Sequence, residues 1–516
     1  MIRSHSHNQL TLPEFDWPFQ AALDEKNRWV TLSRLISWVA LSEPYCQKLS
    51  VTQGRPAKDA RLVIGAVIIK HKLCLSDEET VCQIQVNPYL QYFVGLPGYQ
   101  MNAPFAPSLL VEVRKRMGQG VFDRFYEAII EQLDQIQPRH MPRSSHDDDD
   151  SDNQNSPIAE EGSKPTHQGK LILDGTVVEQ AIRYPTDLSL LNEGRELTEK
   201  LIDILHANTT LKKKPRIYRE KAHSAYLAIA KQRRPSSKVI RKGIRQQCKY
   251  LRRQLGHIEA LLTHWNEGTP LPIPNWLLHR YWVIQHLYQQ QWEMYQTKTK
   301  RCYHRIVSIS QPQVRPIVRG KQNKPVEFGA KLSVSLTDTG LAHVDELRWN
   351  AFNEGKDLKS QVEAYKERTG YYPESLLVDP LYGTRDNRKY LKQKGIHFAG
   401  KPLGRPKKVT DQNRVELKQE KKQRREEYRQ RIPIEGKFGQ GKQAYQLGYI
   451  RAKRADTSVA WINSIFLVMN LMVLLKIFFA LWKQVMLNTL LRVWCYGQTL
   501  RRYFGDNTAR LSLMPV

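Results

Sequence analysis

Acidic residues are scarce in this chain relative to bases. Its 516 residues hold 51 Asp and Glu against 80 Lys and Arg, a formal charge of +29. So one-signed a surface calls for a polyanionic partner, either nucleic acid or an anionic membrane surface. Cysteine is sparse as well. The six cysteines (Cys46, Cys74, Cys82, Cys248, Cys302 and Cys495) form no CxxC pair and have no His at zinc spacing. That pattern excludes a disulfide scaffold and fits reduced thiols in a cytosolic protein. The opening "MIRSHSHNQLTLPEFDWPF" lacks the apolar centre of a secretory signal. Only one long hydrophobic run is present, "SVAWINSIFLVMNLMVLLKIFFALW" at 458–482. It is long enough to span a bilayer, but Asn463, Asn470 and Lys476 interrupt it. The expectation is a buried C-terminal helix and no membrane association, since helices apolar on every side also lie in large soluble cores.

What is present is ordinary enough to bury a core: 41% apolar and 25% charged residues. The length suggests about two to four structural units. Residues 55–136 read as helices. "RPAKDARLVIGAVIIKHKL" carries apolar residues at helical spacing, Ser76 to Glu79 ("SDEE") is a capping box, and another helix begins at Pro107 or Ser108. Several short helices near the start of a basic chain suit a DNA-reading module, and a plain helical bundle suits the pattern equally. Residues 141–169 are polar, acidic and nearly free of apolar side chains, so a disordered linker is expected there. Its run Asp147 to Asp150 reads as solvated charge rather than a metal site.

Beyond the linker, "KLILDGTVVEQ" is a short apolar run ending on Asp174, a buried strand with an acid at its exit. "PVEFGAKLSVSL" alternates apolar residues with period two from Val326 to Leu336, which marks a strand. "TDTG" then turns the chain into "LAHVDELRW" as a hairpin. A helix closed by Gly370 follows, then the strand "SLLVDP" ending on Asp379, a second helix, and the strand "IHFAG". The helix bearing Glu435 is expected to start near Pro433, because proline is tolerated in a first turn. This succession predicts an α/β fold: a ribonuclease-H-like mixed sheet flanked by helices, with a large helical insertion and an N-terminal helical domain. The predicted units are a DNA-binding domain at 1–140, the linker at 141–169, a catalytic domain at 170–187 and 325–457, the insertion at 188–324, and an apolar helix and tail at 458–516.

The insertion is the most basic part. From Lys212 to Arg253 there are sixteen Lys or Arg and one acid, Glu220, with Tyr218, Tyr226 and Tyr250 interleaved. Such a tract, beginning Lys212, Lys213, Lys214, reads as a phosphate-gripping surface. Trp276, Trp282 and Trp292 could each stack on an unpaired base, but core packing is expected for at least two of them. A further short motif, "GRPKK", places Arg405 either in a charged turn or at an A·T-rich minor groove.

"YRQRIPIEGKFGQGK", residues 428–442, sets Glu435 alone among Arg429, Arg431, Lys437 and Lys442. Such an acid is either a surface salt-bridge partner or a metal ligand beside a polyanion. The two aspartates carry a similar choice, since an acid after a strand can cap the next turn. Three carboxylates converging from separate elements supply the hard oxygen donors Mg²⁺ prefers. Two such ions, roughly 3.5–4 Å apart, can clamp the attacking and leaving oxygens of a phosphoryl displacement.

Tyr428, Arg431, Glu435 and Lys442 fit the signature Y-(2)-R-(3)-E-(6)-K. In this the chain resembles the bacterial insertion-sequence DDE transposases of the IS-four/IS-five superfamily, in the IS-five-type branch. "LDGTVVEQAIRYPTDLSLLN" is similar to that branch's first-Asp block and "VDPLYGTRDNRKYLKQKGI" to its second. "GKPLGRPKK" and "VNPYLQYFVGLPGYQ" look familial too, and the likeness covers most of residues 50–475. The resemblance implies that Asp174, Asp379 and Glu435 are the catalytic, metal-binding triad, served by Mg²⁺ or Mn²⁺ as two ions. It also implies that Tyr428, Arg431 and Lys442 contact the DNA backbone near the scissile phosphate. The implied activity is binding terminal inverted repeats, cleaving there and joining 3′-OH ends to target DNA. The implied setting is a homodimer on DNA in the bacterial cytoplasm, at the nucleoid. A nuclease or resolvase without strand transfer, or a non-catalytic DNA-binding derivative, shares much of this pattern. Two departures stand out: Pro380-Leu381 precedes Tyr382 where many relatives have a glycine, and the 56 positions from Asp379 to Glu435 include a basic tract, Lys401 to Arg431.

Overall fold

The structure, a computed structural model, describes residues 15, 22–50, 52, 54, 56–136, 167–209, 211–263, 265, 270–319, 325–405, 408–410 and 412–511, with side chains to 496. The run Asp147 to Asp150 and most of the expected linker lie outside the described residues.

Seven helices lead the described chain: α1 (Arg28–Leu35), α2 (Trp38–Cys46), α3 (Ala60–Leu73), α4 (Asp77–Val86), α5 (Pro88–Phe93), α6 (Leu109–Arg116) and α7 (Gln119–Ile136). The Ser76 hydroxyl accepts from Glu79 N at 3.0 Å and caps α4, but only this half of the predicted capping box forms, the Glu79 carboxylate accepting from Gln83 Nε2 at 3.0 Å instead. α3 is buried along nearly all its length, Lys70 included. A charged head so placed requires a partner, and Asp77 supplies one at 2.9 Å while also holding Arg114 at 2.6 Å.

What covers these helices comes from the far end of the chain. α15 (Ala455–Leu511) lies on α3, α6 and α7, and its side chains from Ala460 to Leu475 are mostly buried. The expected core helix is therefore present, but it continues well past Lys476. Phe479, Trp482, Leu487, Leu490 and Trp494 are exposed on the continuation. Among the described residues one helix, this one, is long and apolar enough to cross a membrane, with half of that stretch buried.

The sheet is mixed and six-stranded. β1 (Lys170–Glu179) is central, with β3 (Val326–Thr337) antiparallel on one side and β5 (Ser375–Val378) parallel on the other. β6 (His397–Ala399) extends the parallel edge. The far edge of β3 is shared by β2 (Arg315–Val318) and by β4 (Ala342–Arg348), the hairpin strand. Gly340, at φ +85°, makes that hairpin's turn in the left-handed region glycine favours. α12 (Leu358–Thr369), closed by left-handed Gly370, and α13 (Arg385–Gln393) complete the parallel connections.

Two boundaries differ from the sequence reading. β1 does not end on Asp174. It runs five residues further, because Thr176, Val177 and Val178 suit a strand and β3 pairs with it as far as Glu179↔Gly329. What ends at this level is the parallel pairing, whose last register is Leu173↔Val378. Nor does the helix of Glu435 start at Pro433: α14 is Arg414–Ala444, with the proline inside it. Residues 414–432 are rich in Lys, Arg, Gln and Glu, good helix formers, and Pro433 faces solvent.

The insertion folds around its own core. α8 (Asp187–Ala207), α9 (Arg219–Ala230), α10 (Ser237–Thr263) and α11 (Asn275–Thr297) follow one another. Leu201, Leu251, Ile258, Ile284 and Leu287 meet between three of them. Two aromatic expectations are corrected here. Trp276 and Trp282 are exposed, at 52% and 57%, because the inner stripe of α11 is Leu277, Tyr281, Ile284 and Leu287. Only Trp292 of the three packs against the core. Tyr226, conversely, is buried and leaves the basic surface.

Where α7 meets β4 there is a polar junction. His343 is within 3.0 Å of both Asp123 and Asp345, through opposite ring nitrogens. Arg368 reaches Asp345 at 3.0 Å and Gln361 donates to it at 2.8 Å. Burial alone pushes the imidazole's pKa down, but the two carboxylates outweigh it and hold the value above the usual range. Asp345 is lowered: burial opposes its charge, and His343, Arg368 and Gln361 more than compensate.

Candidate active site

The candidate site lies where α14 crosses β1 and β5. One face of α14, Ile434 and Phe438, is buried, and this fixes the helix's rotation. Arg431, one turn before Glu435, then reaches the sheet. Its Nη1 lies 3.2 Å from Asp174 Oδ2 and its Nη2 2.5 Å from Glu435 Oε1. Asp379 follows β5, one step beyond the Leu173↔Val378 pair, and acts electrostatically on both Asp174 and Arg431. Its side chain makes no capping bond to the 3-10 turn Pro380–Tyr382 that it precedes. The turn-capping alternative thus has no bond behind it at Asp379. At Asp174 the only such contact among the described residues is with the adjacent Gly175 N–H, at 2.8 Å.

The electrostatics are balanced against ionisation. Burial is the largest influence on Asp174 and raises its pKa. The Gly175 N–H and Arg431 pull it down, while Glu354 and Asp379 push it up, and the result stands above the usual carboxylate value. Glu435 is half exposed, at 52%.

Glu354 is a carboxylate the sequence reading missed. It belongs to the 3-10 turn Glu354–Lys356 after β4, is 8% exposed, and pairs with Lys331 of β3 at 2.8 Å. Its carboxylate presses on Gly175, where an added Cβ would come within 2.0 Å of Glu354 Oε1. Asn387 ties this turn to the next one, donating to Gly355 O at 2.7 Å and Tyr382 O at 2.9 Å. The available signal was Gly175 itself, since glycine inside a strand often marks a close approach.

The basic residues divide. Tyr428 is 60% exposed, with the Arg431 guanidinium 5.4 Å from its ring centre. Lys442 is partly buried a few turns along α14. Lys437 points inward, donates to Gly340 O at 2.9 Å, and is pushed by burial down to about 8. Of the four bases around Glu435 in sequence, this one is turned away from the surface. Lys212 and Lys213 are exposed between α8 and α9, Lys214 pairs with Asp203 at 2.6 Å, and Arg405 is exposed in the loop after β6.

Among the described residues no group of three or more His, Cys, Asp or Glu side chains is arranged to hold a metal ion. The oxygen-only donor set is nevertheless one that suits Mg²⁺, and a cation, the Arg431 guanidinium, is already held between two of its members.

A strongly basic α/β chain with carboxylates gathered where the parallel pairing of β1 and β5 stops is the setting in which the comparisons with known proteins fall. A family model described as "Transposase DDE domain" matches residues 376–472, which contain Asp379 and Glu435 but not Asp174. A second, "Transposase domain (DUF772)", matches residues 17–116. Both matches are transposase domains. Together they indicate, more narrowly, a DDE transposase family. An uncharacterized protein of Rhizobium meliloti, ORF8 in the nfe locus, is 28% identical over 170 residues, which cover 33% of this chain and 70% of that protein. No solved structure matches this chain.

Proposed function

We propose that the chain is a DNA transposase of the IS-four/IS-five superfamily, IS-five-type branch, with a ribonuclease-H-like catalytic domain. It binds the terminal inverted repeats of its own element, cleaves phosphodiester bonds and joins 3′-OH ends to target DNA. The observation that carries this reading is the shared guanidinium: Arg431 bonds Asp174 and Glu435 and is acted on by Asp379, three acids from β1, the exit of β5 and α14. The fold reading is supported by the strand order, antiparallel pairs on one side of β1 and parallel ones on the other.

Asp174, Asp379 and Glu435 would hold one or two Mg²⁺ or Mn²⁺ ions. Bound there, such ions supply charge stabilisation for the attacking and leaving oxygens. The protein's own groups do the rest. Arg431 neutralises the carboxylate cluster when DNA is absent, and with its acids otherwise occupied it is free to turn to a phosphate, the bidentate partner guanidinium prefers. Tyr428 and Lys442 flank the same stretch of α14 and position the backbone. Lys212, Lys213, Lys214 and Arg405 extend the grip over a longer duplex. Glu354, held by Lys331, keeps the Asp174–Gly175 strand segment in place. Two ends must be held together for joining, so a homodimer on DNA, working at the nucleoid in the cytoplasm, belongs to the proposal.

The test incubates purified protein with the DNA ends flanking its own gene, with Mg²⁺ or Mn²⁺, and maps nicks and joined products. Nicking at the ends followed by joining is expected. Glu435→Gln should bind the ends but cut at least a thousandfold more slowly, on the order of 4 kcal/mol of lost transition-state stabilisation. Nicking without joining would indicate a nuclease or resolvase. Binding without any cut would indicate a non-catalytic DNA-binding protein.

A further inference from the structure

A cleft of about 710 Å³ opens where the insertion leaves the sheet, between the start of α8, α9, α10 and the end of α11. Its size lies within the roughly 300–1,000 Å³ typical of small-molecule sites. The floor is apolar: Leu188, Tyr226, Ile229, Ile240, Ile244 and Met294. The rim is basic, with Arg183, Arg241, Lys298, Lys300 and Arg305 against a single acid, Asp187. That acid is already engaged, by Arg305 at 2.5 Å and Gln291 at 2.8 Å. Lys298 and Lys300 have no ion pair among the described residues.

The rim is also held in shape. Arg241 donates to Tyr295 O at 2.9 Å and lies over the Tyr295 ring, 4.3 Å from its centre. Trp292 stacks with that ring at 5.6 Å and 19°. The capping box of Thr186 and Ser189 fixes the first turn of α8, whose N-terminal dipole adds to the positive field. None of these groups belongs to the carboxylate site.

An apolar floor under a cationic rim matches a ligand with a flat, weakly hydrated part and an anionic part. We infer that this cleft is a binding site for a single nucleotide unit, the base on the Tyr226–Ile240 floor and the phosphate among Arg241, Lys298 and Lys300. The unit comes either from free nucleotide or from a nucleotide turned out of a DNA strand. Inorganic phosphate alone would leave the floor unused, and a purely apolar ligand would leave the rim unpaired.

Calorimetric titration of the full-length protein separates the sources. One arm uses dAMP, TMP and inorganic phosphate. The other uses end DNA carrying 2-aminopurine and reads its fluorescence. A free-nucleotide site gives saturable one-to-one binding of the monophosphates, at least tenfold tighter than phosphate. A site for a DNA nucleotide gives a rise in 2-aminopurine fluorescence. In either case Ile240→Trp, which fills the floor, should abolish the signal, and the pair Lys298→Gln and Lys300→Gln should weaken it tenfold or more. The lysine pair decides should Ile240→Trp fail to fold by circular dichroism. Asp174→Asn should keep nucleotide binding while losing cleavage, so failure of this inference and failure of the transposase reading are distinguishable. Absence of monophosphate binding together with fluorescence indifferent to the variants would overturn the inference.

Discussion

Arg431 and Asp174, 257 positions apart in the chain, meet through a guanidinium nitrogen and a carboxylate oxygen at 3.2 Å. The same guanidinium holds Glu435. Removing it should leave two carboxylates facing each other near a third. Arg431→Met is expected to lower stability by about 1–3 kcal/mol, the range for stranding a hydrogen-bonded group, measured by urea unfolding. It should also vacate a cation position. Mn²⁺ should then raise the melting temperature of Arg431→Met more than that of the native protein, with about 2.7 kcal/mol available at a hundred times Kd. Adding Asp174→Asn should cancel the Mn²⁺ effect. A melting temperature that ignores Mn²⁺ in both proteins would count against an ion at these acids.

Gly175 should resist any side chain. A Cβ there would stand 2.0 Å from Glu354 Oε1, so Gly175→Ala is expected to cost about 1–3 kcal/mol through overpacking. Glu354→Ala in the same molecule should return much of that loss, and a double-mutant cycle should show coupling of about 1–3 kcal/mol. Additive effects would mean that the carboxylate does not press on the strand.

The α7–β4 junction should respond to pH in a defined direction. The folded pKa of His343 is raised, so the protonated imidazole's contribution is fully present below about pH 6.5, the unfolded value. It is lost as pH rises through the higher folded value. Asp345 is lowered, so its contribution is present above about pH 3.9 and is lost as pH falls through the folded value. The stability gap between native protein and His343→Gln should therefore be widest at about pH 4–6.5 and shrink above it. Unfolding at several pH values measures it, and a gap independent of pH would show that His343 does not carry its proton between the two carboxylates.

The basic tract should dominate the salt dependence of DNA binding. Lys212, Lys213, Lys231, Arg233, Arg234 and Lys238 are all exposed. Changing the six to Gln should reduce the slope of log K against log salt by up to about 5, since each phosphate contact contributes about 0.9. An unchanged slope would show that this surface faces something other than DNA.

Element types were legible from the sequence, and their limits less so. The period-two pattern of Val326 to Leu336 and the glycine after Thr369 mark structures that local chemistry determines. The true end of β1 depends on a partner strand about 150 residues away, whose pairing the local sequence does not record. Pro433 looked like a helix start because proline is favoured there, yet a strongly helical, charged stretch before it carried the helix through. Asp174 and Asp379 stood out in the sequence as acids closing short apolar runs, and Glu435 as a lone acid among bases. Glu354 did not, because its nearness to Asp174 follows from how a turn folds back over the sheet. The inward turn of Lys437 similarly depends on which face of α14 the core claims.

The position of α15 has a consequence for how the chain is made. The surface that α3, α6 and α7 turn toward the core is covered by residues beginning at Ala455, which leave the ribosome after more than four hundred others. Until they emerge, the N-terminal helices have an open apolar side and cannot settle as a finished unit. A product terminated before α15 would keep that side bare, making it prone to aggregation and a target for proteases rather than a working DNA-binding fragment. Synthesis of the last core helix is therefore the step that closes the molecule, and shortened copies of the gene should yield little stable protein.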